Sequence, residues 1–315
     1  MTAEHSPERA SMLQMVERPP APTRMPPASL ALRLKTSLWV RALLPTGLVV
    51  RRAVLKAQRL WEQDEGTRED ALAAMATVVT GTSQADSLMR VAREYVIERE
   101  ANTALFWQPW DTPKLDAVSA RRLREALDQS RGVLLSPCHV GPYQRITRVL
   151  LSMGHTPYTV YGPWFFEPPS PDYWGRRLAR WRKGVHSRLV VSKGSFSVLG
   201  ALLERGDCVV VSFDMPGHRP TSFLGKPVML ADGSARLALE SDALVLPVRA
   251  RRAGRRVWLD VAAPLDPREF ADVEDLHTTL AALHERWILE FPGAMDDPRK
   301  TDWGQGAGPE GWARA

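Results

Sequence analysis

The sequence predicts an α/β fold: a mainly parallel central sheet covered by helices on both faces, with a helical segment ahead of it. Three observations carry that expectation. Short, branched apolar runs such as Gly132-Val133-Leu134-Leu135-Ser136 and Cys208-Val209-Val210-Val211 recur in the later part of the chain, and runs of that length bounded by turn residues read as strands buried on both faces. Stretches of helical periodicity separate them, and strands alternating with helices argue a parallel sheet. Finally, 315 residues with 44% apolar content suffice for one large core, so one main domain with appendages is expected.

Residues 1–28 crowd Pro19, Pro20, Pro22, Pro26 and Pro27 into a stretch without periodicity and are expected to form a disordered tail. The tail holds no apolar run of the kind a secretory signal needs, which points to the cytoplasm or the inner face of a membrane. In the next segment, 29–66, acids are absent between Glu17 and Glu62, while Arg33, Lys35, Arg41, Arg51, Arg52, Lys56 and Arg59 punctuate Leu30, Leu34, Leu38, Trp39, Leu43 and Leu44. This pattern reads as basic amphipathic helix. Its longest uncharged run, 42–50, contains Pro45 and Gly47 and falls far short of the ~20 residues that span a bilayer. Two arrangements fit: helices lying on an anionic membrane surface, or a hairpin packed on the core with its basic edge in water.

The main domain is expected over 67–300, with a flexible tail at 301–315. Leu88, Val91, Tyr95 and Val96 at helical spacing place helices before the sheet. Strands are then expected at 132–136, 157–161, 188–192, 207–213, 243–249 and 256–262. The intervening helices fall near 119–129, 142–153, 172–183, 195–205, 234–241 and 272–290. No internal repeat is evident. Cys138 and Cys208 both sit in or beside strands and require no disulfide. Because neighbours on a strand point to opposite faces, Cys138 is not expected to form a dyad with His139.

A net charge of +6 and a pI near 9.6 favour acidic partners. No zinc spacing, basic helical region or RNA-binding signature supports nucleic acid. An anionic lipid surface and an acidic carrier protein both account for the charge.

The candidate chemistry lies in Ser136-Pro137-Cys138-His139-Val140-Gly141-Pro142-Tyr143-Gln144. An apolar strand leads to His139, and Gly141-Pro142 supplies a turn and a residue suited to the first helical position. His139 should therefore sit at the carboxyl end of a strand in an open sheet, where ligand crevices form. A neutral imidazole can take a proton from a hydroxyl at neutral pH when a neighbouring acceptor fixes its tautomer. Gln144 stands five positions on. Its carbonyl can accept such a hydrogen bond but cannot stabilise the imidazolium as a carboxylate would. Asp214, at the end of another apolar run, is the second candidate for that partner, or else caps the turn before Pro216-Gly217.

Several ordered blocks extend this reading: 199–214, ending in Ser212-Phe213-Asp214; Ser222-Phe223-Leu224-Gly225-Lys226-Pro227; Gly233-Ser234-Ala235-Arg236; Val245-Leu246-Pro247-Val248; and Glu285 to Gly293. In that order they resemble the lipid A biosynthesis (lauroyl/myristoyl) acyltransferases and the related phosphatidylinositol mannoside acyltransferases, over residues 40 to 300. The resemblance implies a glycerolipid-acyltransferase-like α/β fold. It also implies transfer of a fatty acyl group from a thioester, on acyl carrier protein or coenzyme A, to a glycolipid hydroxyl. His139 matches the family's histidine, and Gln144 replaces the acid of its His-x4-Asp/Glu motif.

By the same resemblance, Phe223, Gly225 and Lys226 match a Phe-Phe-Gly-Arg block expected to bind substrate. Arg182, among Arg176, Arg177, Arg180 and Lys183, is the candidate for binding phosphate or polarising the thioester carbonyl. The expected mechanism has His139 as base, Gln144 orienting it, and backbone amides near Gly141 holding the oxyanion. Neither a metal, a cofactor nor an acyl-enzyme is called for. Gln144 also keeps open a weak or inactive homologue that binds lipid or carrier protein. A specialised-metabolite hydroxyl is a further candidate acceptor.

Overall fold

The computed structural model describes residues 29–35, 37–106, 108, 112–167, 172, 174–176, 178–179, 188–192, 194–296 and 298. Expectations for 1–28, 301–315 and half of 172–183 lie outside these. Three helices come first: α1 (Leu30–Lys35), α2 (Leu38–Ala42) and α3 (Thr46–Gln63). Pro45 separates α2 from α3, since its ring fixes φ and its nitrogen cannot donate. Next are α4 (Glu65–Val79) and α5 (Leu88–Phe106). Asp64 caps α4 by accepting from the Thr67 amide at 3.2 Å, which satisfies a donor left open in the first turn.

The sheet begins after α6 (Ala117–Leu127) with β1 (Val133–Pro137) and continues through α7 (Ile146–Ser152), β2 (Tyr158–Tyr161), β3 (Arg188–Val191), α8 (Phe196–Glu204) and β4 (Cys208–Val210). A hairpin, β5 (Pro216–Phe223) and β6 (Lys226–Leu230), stands apart from that sheet as its own antiparallel pair. After it come α9 (Gly233–Ser241), β7 (Leu244–Ala253), β8 (Arg256–Val261) and α10 (Val273–Glu290). The main sheet has the order β3-β2-β4-β1-β7-β8, parallel throughout except that β8 pairs antiparallel with β7 at the edge. Strand and helix expectations therefore hold to within a few residues. The exceptions are β7, which runs on to Ala253, and the β5–β6 ladder, whose polar strands carry no apolar run to announce them.

Alternation along the strands divides the core in two. Leu134, Val209 and Val245 face one side, covered by Met75, Val91, Leu199, Ala238 and Leu280 from α4, α5, α8, α9 and α10. Val133, Leu135, Val210 and Leu246 face the other, covered by Leu123, Ile146 and Leu150 from α6 and α7. Both thiols are buried and unbonded to each other, and burial raises the pKa of each. No helix among the described residues is long and apolar enough to cross a membrane.

Candidate active site

β1 lies at the centre of the sheet between β4 and β7, and its carboxyl end delivers His139 to the edge of the core. The parallel register of β1 and β4 decides what stands beside it. Val133 pairs with Cys208, Leu134 with Val209 and Leu135 with Val210. Both chains run the same way, so the same offset places residue 214 opposite residue 139. Beyond the ladder the pairing continues: the Val211 amide donates to the Leu135 carbonyl at 3.0 Å and the Phe213 amide to the Pro137 carbonyl at 2.7 Å. Asp214 then meets His139 twice. Its Oδ2 accepts from the His139 backbone amide at 2.9 Å, and its Oδ1 lies 2.8 Å from His139 Nδ1.

The Asp214 side chain is fully buried, whereas His139 keeps 26% of its side chain exposed. Burial opposes charge on both groups, yet their mutual attraction and hydrogen bonds outweigh it: His139 is raised above its ordinary pKa and Asp214 held below its own. The ring of Phe213, which precedes Asp214, lies 5.1 Å from those of both His277 and His284. Burial drives these two α10 histidines down to about 4, so they are neutral where His139 titrates.

Around His139 the loop is closed by the chain's later segment. The Gly141 amide donates to the Ala294 carbonyl at 2.7 Å, and the Asp296 amide to the His139 carbonyl at 2.8 Å. Gly141 is a position only glycine fits, with φ +61° and a hypothetical Cβ 2.2 Å from the Ala250 carbonyl oxygen. The Tyr143 ring stands edge-on to His139, centroids 4.7 Å apart, and its hydroxyl donates to Asp296 Oδ2 at 3.3 Å. Arg145, buried behind the loop, donates to the Leu105 and Gln108 carbonyls and so satisfies the carboxyl end of α5. A cavity of about 290 Å³ opens beside the loop, lined by Asn102, Phe106, Gly141, Gln144, Trp174 and Asp296 among others.

The sequence-predicted site residues do not all converge on His139. Gln144 makes no hydrogen bond with His139 among the described residues: Asp214 occupies Nδ1, and Gln144 lines the cavity instead. The Gly141 amide cannot serve an oxyanion while it is committed to Ala294, and the His139 and Val140 amides are likewise paired, to Asp214 and to the Cys138 carbonyl. Phe223, Gly225 and Lys226 lie in the β5–β6 hairpin, the Phe223 ring 6.1 Å from that of Phe213. Phe223 is fully buried, Lys226 Nζ donates to the Thr77 carbonyl of α4 at 2.5 Å, and a Cβ on Gly225 would lie 2.4 Å from the Gly81 carbonyl oxygen. Arg182 lies outside the described residues. Asn102, Tyr143 and Asp296 were absent from the sequence-based candidates. Tyr143 sits inside the quoted motif, but nothing in spacing links it to Asn102 or Asp296, which arrive from α5 and from the end of the domain.

The chain is thus an α/β protein whose mainly parallel central sheet carries a histidine–carboxylate pair at its carboxyl edge. Residues 65–294 match the family described as bacterial lipid A biosynthesis acyltransferase, and the chain belongs to that family. It is thus an acyltransferase acting on lipids. Among solved structures, the 1-acyl-sn-glycerophosphate (LPA) acyltransferase PlsC from Thermotoga maritima is similar, at 16% identity and a TM-score of 0.39, covering 81% of this chain and 98% of that one. No curated protein matches.

Proposed function

We propose that the protein transfers a fatty acyl group from an acyl thioester, on acyl carrier protein or coenzyme A, to a hydroxyl of a glycolipid or related lipid, with His139 as general base. The observation that supports this most is the 2.8 Å contact between His139 Nδ1 and the fully buried Asp214. With Nδ1–H donated to the carboxylate, the Nε2 lone pair is left to accept a proton. His139 Nε2 takes the acceptor's hydroxyl proton as the oxygen attacks the thioester carbonyl. The tetrahedral adduct then expels the thiolate, which recovers the proton from the imidazolium. Asp214 stabilises that imidazolium at the stage where it forms, the role a buried carboxylate plays in hydrolase triads. The test is transfer of labelled palmitate from palmitoyl-CoA or palmitoyl-acyl carrier protein to purified glycolipids. His139→Ala is expected to abolish transfer, and full rate in that variant would refute the assignment.

The acceptor's setting follows from the first three helices. Trp39 is 77% and Leu43 83% exposed, among the basic residues Arg33, Arg41, Arg51 and Arg52. An apolar edge flanked by cations suits the interface of an anionic bilayer, with roughly 1 kcal/mol per basic residue near the surface. We place the protein peripherally on the cytoplasmic face of the inner membrane. Sedimentation with phosphatidylglycerol vesicles should exceed that with phosphatidylcholine vesicles and fall severalfold in Trp39→Asp/Leu43→Asp. Equal sedimentation of both proteins would remove these helices from the reading.

A further inference from the structure

The segment that closes the domain reaches the histidine loop along a fixed path. Pro292 and Gly293 are buried, and Gly293 seats so closely on α5 that a Cβ there would lie 2.8 Å from Glu94 Cβ and 2.9 Å from the Tyr95 nitrogen. The residues that follow pair with the loop as a short antiparallel bridge. Val140 stands opposite Met295, the Gly141 amide donates to the Ala294 carbonyl, and the Asp296 amide donates to the His139 carbonyl. Asp296 is thereby tied through its backbone to the residue that carries the imidazole. Its side chain accepts from the Tyr143 hydroxyl at 3.3 Å, and the Tyr143 ring stands edge-on to that imidazole, a preferred geometry for two rings, with centroids 4.7 Å apart.

Each group suits that arrangement. Burial, and after it the Asp296 charge, push the Tyr143 hydroxyl well above its ordinary pKa, so it stays a proton donor. Asp296 is exposed, and an exposed carboxylate is ionised at neutral pH. The titratable groups around His139 come from three places: Asp214 after β4, Tyr143 in its own loop, and Asp296 in the closing segment. Beyond them, burial keeps the Cys138 thiol neutral, and it holds His284 of α10 at about 4. Burial opposes charge on the imidazole, Asp214 outweighs it, and Asp296 adds to Asp214 in the same sense.

Building on the acyltransferase reading, we propose that Tyr143 and Asp296 are positioning residues for His139: Asp296 holds the loop through its backbone and, anchored by the Tyr143 hydroxyl, places a second negative charge near the imidazolium that forms during transfer. The site thus has two carboxylates with different tasks. Asp214 is buried, touches Nδ1 and fixes the tautomer. Asp296 acts at longer range through solvent-screened attraction, so its effect is the smaller of the two.

The test is an NMR pH titration of the His139 ring in histidine-labelled protein, its signal assigned by its loss in His139→Ala. Asp296→Asn keeps the backbone bridge and an acceptor for the Tyr143 hydroxyl and removes only the charge. It should lower the His139 pKa by about half a unit, the scale of a screened charge a few ångströms away. Tyr143→Phe keeps the ring and frees the carboxylate, so it should lower the pKa by less, and Asp296→Glu should restore most of the wild-type value. A merely structural role would reduce the folded fraction without moving the titration of the folded protein. An unmoved pKa in both Asp296→Asn and Tyr143→Phe therefore overturns the inference. In the labelled-palmitate assay, kcat of Asp296→Asn should fall about threefold, the same half unit read as a rate, with KM for palmitoyl-CoA unchanged. A raised KM with an unmoved titration would put Asp296 on the substrate and also overturn it. Should wild type and His139→Ala be equally inert, the acyltransferase reading fails, yet the titration still decides whether Tyr143 and Asp296 act on His139.

Discussion

The loop that follows β1 and the turn that joins β5 to β6 are built alike and used in opposite ways. Each places a glycine at positive φ where a Cβ would strike a carbonyl oxygen, Ala250 for Gly141 and Gly81 for Gly225. In the hairpin, Leu224 and Gly225 both take positive φ, the two-residue turn that matches strand twist. The turn of that hairpin is anchored in the fold: Phe223 and Leu224 are fully buried, and Lys226 donates to the last turn of α4. In the histidine loop the amides of His139, Val140 and Gly141 are also paired within the fold, but two side chains face outward. His139 keeps a ring nitrogen clear of Asp214, and Gln144 opens onto a cavity. The two glycine turns thus differ in what their neighbouring side chains face: the protein interior in one, a cavity in the other.

The largest expected effect breaks the pair itself. Asp214→Asn should lower kcat by up to about 10⁴, the cost of the corresponding change in a serine-protease triad, whereas restoring a carboxylate by Gln144→Glu should not raise turnover. A large gain from Gln144→Glu would shift the catalytic partner back to position 144.

The pH dependence sharpens the same contrast. His139 is raised, so the stability it gains from Asp214 is complete below the unfolded value near 6.5 and fades as pH rises through the folded pKa. Asp214 is lowered, so its contribution is complete above roughly 4 and fades as pH falls through its folded value. A base must be neutral, so the acid limb of kcat/KM should be centred above ~6.5 in wild type. In Asp214→Asn, with burial left to dominate, that limb should move below ~6.5. An unmoved limb would separate His139 from Asp214 functionally.

Changes in the hairpin should act on stability. Gly225→Ala adds a side chain at φ +70° against the Gly81 carbonyl and should destabilise by about 2 kcal/mol in urea titration, from strain and close contact together. Smaller still, Lys226→Met removes a charge from the carboxyl end of α4 and should cost about 0.5–1 kcal/mol, the range for a cation at a helix terminus. Acyl transfer per folded molecule should persist in Lys226→Met. A selective loss of donor or acceptor affinity there would return Lys226 to the substrate site.

Much of the architecture was legible before any coordinates. Branched apolar runs located all six strands of the main sheet, because strands buried on both faces must be apolar along their length. The hairpin escaped that criterion: Pro216, Gly217, His218 and Arg219 need no apolar pattern to pair with β6. For the site, His139 was recognisable from its place after an apolar strand, and Asp214 stood only as one of two possible partners. Proximity along the chain suggested a contact between Gln144 and His139, whereas in the fold Asp214 stands at His139 Nδ1 and Gln144 lines the cavity.

Local chemistry thus determined where strands and helices form, which residue could act as a base, and how each strand would divide its side chains between two faces, since those properties depend on a few neighbouring residues. Pairing was decided by packing. Placing β4 directly against β1, at an offset shared by all three ladder pairs, carried Asp214 to His139 across 75 positions of sequence. The closing segment then took the Gly141 amide, and α5 supplied Asn102 to a cavity whose walls come from distant parts of the chain. Such contacts arise from strand order and register, which the burial of the whole sheet selects together and no single segment encodes.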